Sequence, residues 1–181
     1  RLLTWMWYRR WPIALAMLPT AYVAAVTLPH PFGLGLQHGN DFQAHRIWWT
    51  ELATWYLKQG HVPLWTPSLD YGTLFFGHYG HGFFYAPGWW LHPFHAPGIP
   101  AWQTWSQYLQ ICLHMAVGLL GVYRLLRTRA AVSESAAAIG ASMLMINHRF
   151  HDFVRYPDAI EAMAWIPWML LVALRLAEGK T

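Results

Sequence analysis

WSQYLQICLHMAVGLLGVYRLL, residues 105–126, is the stretch that decides the fold. Its 22 residues hold one charge, Arg124, at the far end, and their apolar content is unbroken enough to cross a hydrocarbon core of ~30 Å at 1.5 Å per residue. Arg124 can extend its stem along that surface and keep its head in the interface. Three further segments read the same way. Residues 11–28 form an apolar run, with Pro12 in the tolerant first turn and Pro29 and Pro31 closing it. Residues 132–147 are built from small side chains, with Ala136 and Gly140, and Ala137 and Ala141, at the spacing that lets helices approach closely, and are short enough to form a re-entrant helix instead of a span. Residues 161–177 carry Trp165, Pro167 and Trp168 near one end. The fold expected is therefore all-α: about four transmembrane helices in a single membrane domain over 1–181. An outer loop covers 29–102 and a second outer loop 148–160.

Composition agrees. Of 181 residues, 56% are hydrophobic and 11% charged, against about a quarter charged in soluble domains. Thirteen tryptophans fit the bilayer boundary. The net charge of +4 comes from scattered residues, and no Lys/Arg block points to nucleic acid. The only cysteine, Cys112, excludes an intrachain disulfide and a Cys-based metal site within one chain. The first apolar run is too long for a signal peptide and lacks a small-x-small cleavage pattern before His30, so it reads as a retained span. The chain opens on Arg1 and stops at Lys180-Thr181, directly after an apolar segment, which reads as a piece of a longer protein.

Charge sets the orientation. With the N-terminus cytoplasmic and four spans, Arg1, Arg9, Arg10, Arg124, Arg127, Arg129, Arg175 and Lys180 lie inside, and Arg46, Lys58, Arg149 and Arg155 lie outside. Asp41, Glu51, Asp70, Asp152, Asp158 and Glu161 fall outside, as do ten of the eleven histidines. Any chemistry is then extracytoplasmic.

The outer loop contains one expected helix, Asp41 to Gln59. Ile47, Leu52 and Tyr56 give it helical spacing, Asn40 or Asp41 a cap, and Gly60 the C′ position. The carboxylate of Asp41, beside Arg46 and close after the first span, suits cation binding or a general base toward an attacking hydroxyl, and suits equally a plain N-cap. Then come Gly60-His61-Val62-Pro63-Leu64-Trp65-Thr66-Pro67, Asp70-Tyr71-Gly72 and the aromatic run Phe83-Phe84-Tyr85-Ala86-Pro87. These are turns and anchors, with Trp65 holding the loop.

Asn-Asp opening a helix after a first span, then Gly-x-x-Pro-Leu-Trp-x-Pro, Tyr-Gly, an aromatic-Pro stretch, a second span and Ala164-Trp165-Ile166-Pro167-Trp168 together resemble the N-terminal part of the YfhO-like bacterial membrane proteins, from about residue 10 to 176. These belong with the GT-C membrane glycosyltransferases. The resemblance implies a bacterial inner-membrane enzyme that transfers a sugar from a polyprenyl-phosphate carrier to an extracytoplasmic acceptor. It implies that Asp41 is the essential carboxylate of the first outer loop, as general base or as a holder of a divalent metal. Asp152 and Asp158 are the second-loop carboxylates it offers. Arg46, Arg149 and Arg155 would meet the lipid phosphate, with surface arginines facing headgroups as the plain alternative. Members have many more spans and a further C-terminal region, so this chain would be the front of such an enzyme.

Two other readings stand beside it. A short, Trp-rich, four-span chain suits an accessory subunit of a respiratory or photosynthetic complex, bound to other membrane subunits. Three His-x-x-His pairs, His78 with His81, His92 with His95, and His148 with His151, suit a transition metal. His114 within the second span suits haem, against the plainer reading of a buried, hydrogen-bonded histidine. No Gly-rich phosphate loop, dinucleotide fingerprint or nucleophile elbow occurs.

Overall fold

The computed structural model describes residues 10–27, 48–62, 64–66, 73–74, 85–88, 100–146 and 157–179. Within them, five helices run in the order α1 (Arg10–Thr27), α2 (Trp48–Lys58), α3 (Pro100–Arg129), α4 (Glu134–Ile146) and α5 (Pro157–Ala177). Between α2 and α3 lies a two-residue antiparallel pairing, β1 (Trp65–Thr66) with β2 (Thr73–Leu74), in the register Trp65 to Leu74 and Thr66 to Thr73. Among the described residues the fold is all-α apart from that pairing. Two helices are long and apolar enough to cross a membrane, over Tyr108–Arg129 and Ala159–Ala177. The 13 residues of α4 reach only about 20 Å at helical rise, short of a full hydrocarbon core.

Element ends differ from the sequence reading, mostly where proline stands. Pro100 and Pro157 each open a helix, because proline's fixed φ suits the first turn and its missing N–H is not needed there. The outer loop thus ends before residue 100. The second outer loop gives up residues 157–160 to α5, so Asp158 sits in a helix and not in a loop. Pro19 lies inside α1 and Pro167 inside α5; each removes one ladder bond. The end of α2 follows expectation. Gly60 takes φ +75°, its N–H reaches the Leu57 carbonyl and the His61 N–H reaches that of Tyr56, both at 3.0 Å. This pair of bonds satisfies carbonyls the last turn would otherwise leave open. The expected first part of that helix, 41–47, lies outside the described residues. Ser133 caps α4 by accepting from the Ala136 N–H at 3.2 Å.

The central element is α3. One of its faces, Tyr108, Ile111, Cys112, Met115 and Leu119, forms the core with Leu15 of α1, Ala138 and Ala141 of α4, and Ile160 of α5. Ala137 and Ala141 are both fully buried, as their spacing predicts. The other small pair divides: Ala136 is exposed, while a Cβ on Gly140 would lie 2.9 Å from Leu126 Cδ1. A second face of α3, Gln110, His114, Gly118 and Gly121, lies against α5. A Cβ on Gly118 would lie 3.3 Å from the Ala164 Cα, and one on Gly121 2.7 Å from the Trp168 indole nitrogen. With no side chain at Gly121, the Trp168 N–H reaches the Val117 carbonyl at 2.9 Å.

Contacts between α3 and α5 advance together along both helices, from Gln110–Glu161 through Val117–Trp168 to the Arg129–Glu178 ion pair. The two helices are therefore parallel and pack directly on each other, while α4 packs on α3 and α1. Pro19 of α1 lies level with Cys112, whose thiol contacts the Pro19 carbonyl, while Trp11 lies beside Ala138 and Ser142 of α4. Thus α1 runs antiparallel to α3. One end of the bundle gathers Arg127, Arg129, Glu134 and Glu178; the other holds Gln110 and Glu161.

Gly121→Val puts carbon where the Trp168 ring and Pro167 already stand. It is expected to lower stability by about 1–3 kcal/mol through overpacking, read as an earlier thermal unfolding transition in detergent. An unchanged transition would contradict the close α3–α5 seam.

Candidate functional site

Gln110 and His114 stand four residues apart, on one face of α3, and both are buried. Polar side chains at such a depth in an apolar helix face other helices, not lipid. Gln110 finds partners on α5 and on the 85–88 segment, and His114 on that segment and on its own helix. That segment is a single tight turn, closed by the Gly88 N–H on the Tyr85 carbonyl at 2.8 Å.

The proton positions follow from the acceptors. His114 Nδ1 lies 2.8 Å from the Gln110 backbone carbonyl, which can only accept, so Nδ1 carries the hydrogen. In the neutral ring Nε2 then accepts, and the Tyr85 hydroxyl, 2.5 Å away, donates to it. The Trp165 indole N–H donates in turn to the Tyr85 oxygen at 2.5 Å. The chain of donors runs Trp165 to Tyr85 to His114 to the α3 backbone. It links α5, the 85–88 segment and α3. Beside it, the Gln110 amide nitrogen donates to Glu161 Oε1 at 3.3 Å and, more weakly, to the Pro87 carbonyl at 3.4 Å. Glu161 is only 4% exposed. A carboxyl group at that depth is held by hydrogen bonds or not tolerated at all.

His114 is thus a hydrogen-bonded buried histidine, the plainer of its two expected roles. Coordinating a haem iron through Nε2 would require it to give up Tyr85. Among the described residues, no three His, Cys, Asp or Glu side chains gather as a metal-ligand set. A small cavity of about 40 Å³ adjoins His114, walled by Gly118, Ile160, Met163, Ala164 and Pro167.

Of the carboxylates named from sequence, Asp158 lies in the first turn of α5, three residues before Glu161. Asp41 and Asp152 lie outside the described residues, as do Arg46, Arg149 and Arg155. The six histidines read as metal ligands, His78, His81, His92, His95, His148 and His151, lie outside them too. Of these residues the structure describes only Asp158, so the metal reading of His78 with His81, of His92 with His95, and of His148 with His151 rests on its sequence spacing. Sequence reasoning counted Glu161 only among the outer acids, and it left Gln110 without a role. The signal was present: a glutamine and a histidine at i, i+4 inside an otherwise apolar span demand polar partners. What the sequence withholds is which partners, since Glu161 is 51 residues from Gln110 and Tyr85 is 80 from Trp165.

Set against family models, curated proteins and solved structures, the chain matches none.

Gln110→Leu strips the amide donor from Glu161 and from the Pro87 carbonyl. It is expected to destabilise by about 1–3 kcal/mol, the cost of leaving buried polar groups with fewer partners. Adding Glu161→Leu should restore part of the loss, because it removes the polar group left behind. The check is a set of melting curves for both single variants and the double variant. Strictly additive losses would mean that the two side chains are not coupled.

Proposed function

We propose that the chain lies in the bacterial inner membrane with its N-terminus in the cytoplasm, α3 and α5 crossing it in the same direction, and forms the front part of a GT-C-type glycosyltransferase. The observation that carries this reading is the buried carboxyl of Glu161, roofed by the Tyr85–Gly88 segment, three residues beyond Asp158 at the same end of the bundle. That end is poor in arginine among the described residues, while the opposite end holds Arg127 and Arg129, which supports assigning it to the extracytoplasmic side. The exposed flank of α5, with Ile166, Met169, Leu170 and Val172 open to the surroundings, supports contact with lipid.

In the reaction proposed, an acceptor hydroxyl attacks the anomeric carbon of a polyprenyl-phosphate-linked sugar. A new glycosidic bond forms and the bond to the carrier oxygen breaks. The electron pair leaves on the polyprenyl phosphate, and the hydroxyl proton passes to a carboxylate. Asp41 is the residue assigned to take that proton, with Asp158 or Asp152 as the second acid. Arg46, Arg149 and Arg155 are assigned to the departing phosphate, which their guanidinium groups match in shape and charge. Glu161, Gln110 and His114 are positioning residues: they tie α3, α5 and the outer segment into one rigid floor. A divalent metal, as the resemblance implies, would have to be held by the outer acids, since Glu161 and His114 alone do not make a ligand set.

A second reading, an accessory subunit of a larger membrane complex, draws on that same α5 flank, which would then meet partner helices. Co-purification in a fixed ratio with other subunits would favour it.

Asp41→Asn, in membranes where the protein is present at its normal level, should cut release of polyprenyl phosphate from the labelled carrier-linked sugar by about 100-fold or more, as expected for loss of a general base. Undiminished release would end the assignment of Asp41.

A further inference from the structure

Two groups converge on the Tyr85 oxygen: His114 Nε2, which accepts, and the Trp165 indole N–H, which donates, each at 2.5 Å. One acceptor and one donor aimed at a single point are the complement of a hydroxyl group, which gives one hydrogen and takes another. A second oxygen, the Pro87 carbonyl, takes a hydrogen from the Gln110 amide at 3.4 Å, and the same amide serves the Glu161 carboxyl. A carbonyl at that place can only accept; a hydroxyl would accept likewise and bring a hydrogen of its own toward the carboxyl. Gln110, His114 and Glu161 are 1%, 4% and 4% exposed, whereas Trp165 beside them is 39% exposed. The 85–88 turn covers the three buried groups. Its closing bond, from the Gly88 N–H to the Tyr85 carbonyl, is internal, and Ala86 and Pro87 face outward. It reaches the helices through the Tyr85 hydroxyl and through the long Pro87 contact.

We propose that the 85–88 turn is a displaceable cover, and that beneath it Gln110, His114, Glu161 and Trp165 form a binding site for the hydroxyls of a sugar ring. The Tyr85 hydroxyl and the Pro87 carbonyl hold the places that two sugar oxygens take. In the ligand-free chain the turn completes the floor formed by α3 and α5; the sugar replaces it there. Glutamate, glutamine and histidine facing inward in an apolar bundle are expensive to keep and mark sites that handle polar ligands. Planar side chains that give and take hydrogen bonds suit a ring rich in hydroxyls. The half-exposed Trp165 indole offers an apolar face to the C–H side of such a ring. When no sugar is present the turn keeps the three groups partnered, as buried polar groups must be. Lifting it leaves α3 and α5 joined through Gln110 and Glu161, through Trp168 and Val117, and through Arg129 and Glu178. The inference deepens the transferase reading and rests on it, since it names where the sugar is held.

Modification of Glu161 by dicyclohexylcarbodiimide, an apolar carboxyl reagent, reports whether the cover is open. The chain is held in lauryldimethylamine oxide, since glycoside detergents would compete, and the Glu161 peptide is quantified by mass spectrometry. The wild type should react slowly. Tyr85→Phe keeps the ring, removes the hydroxyl and should speed modification about 10-fold, the shift in open population that one lost hydrogen bond gives. Should that variant not fold, Trp165→Phe removes the donor to the same oxygen, keeps an apolar face and serves in its place. Methyl glycosides of glucose, galactose, mannose and N-acetylglucosamine are then added to the opened variant at millimolar concentration. At least one should return modification to the wild-type rate, and its per-O-methylated form, which has no hydroxyl, should not. Equal modification of wild type and variant would overturn the cover. Protection by none of the glycosides, or equal protection by the methylated form, would overturn the sugar site. Protection in a chain that releases no polyprenyl phosphate from the carrier-linked sugar would uphold the site and remove the transferase reading.

Discussion

The Gln110 amide ties three parts of the molecule together, because Glu161 of α5 and the Pro87 carbonyl of the 85–88 segment share it. An inward-facing glutamine, histidine and glutamate can sit in an apolar bundle only if each is met by another polar group, and that demand fixes how the helices are arranged. The amide sets the register of α3 against α5 at one end, and the Trp168 indole on the Val117 carbonyl sets it at the middle. At the far end Arg129 meets Glu178. Between these points only small residues fit: Gly118 faces Ala164, and Gly121 faces Trp168 and Pro167. In a lipid setting, where apolar burial gives little preference for helix over lipid, close packing and hydrogen bonds are what select one arrangement.

Much of this was legible. The apolar runs named four helices, and four of the five described are those runs, since length and hydropathy survive any tertiary detail. Gly60 announced the end of α2, and Ala137 and Ala141 announced a packing face. The misreadings share a physical cause. Pro157 looks like a loop residue, yet at the first position of a helix it is favoured, so α5 begins four residues early and takes Asp158 with it. Gly140 and Ala136 sit at the spacing of a packing pair, but Leu126 of α3 reaches only the first. Glu161 was legible as an acid and not as a buried one, because its burial is decided by Gln110 and the 85–88 segment, both far off in the chain. The candidate acids of the loops fall largely outside the described residues, and the paired histidines, His78, His81, His92, His95, His148 and His151, fall outside them entirely. The assignment of the acids still rests on the resemblance, and that of the histidines on their i, i+3 spacing.

The polar cluster and the ion pairs occupy opposite ends of the bundle. Donor hydrogen bonds concentrate where the 85–88 segment docks on α3 and α5. The other end holds Arg127 and Arg129 with Glu134 and Glu178. The α3–α5 pair is thus tied at both ends, by the amide of Gln110 at one and by the Arg129–Glu178 ion pair at the other.

The central claim, that α5 crosses the membrane from outside to inside, is tested most directly by thiol labelling in intact cells. Cys112 is the only cysteine, so Cys112→Ala gives a clean background for Asp158→Cys and Glu178→Cys. The account predicts that a membrane-impermeant maleimide labels position 158 in intact cells and position 178 only after permeabilisation. Labelling of both positions from outside, or of position 178 alone, would contradict it.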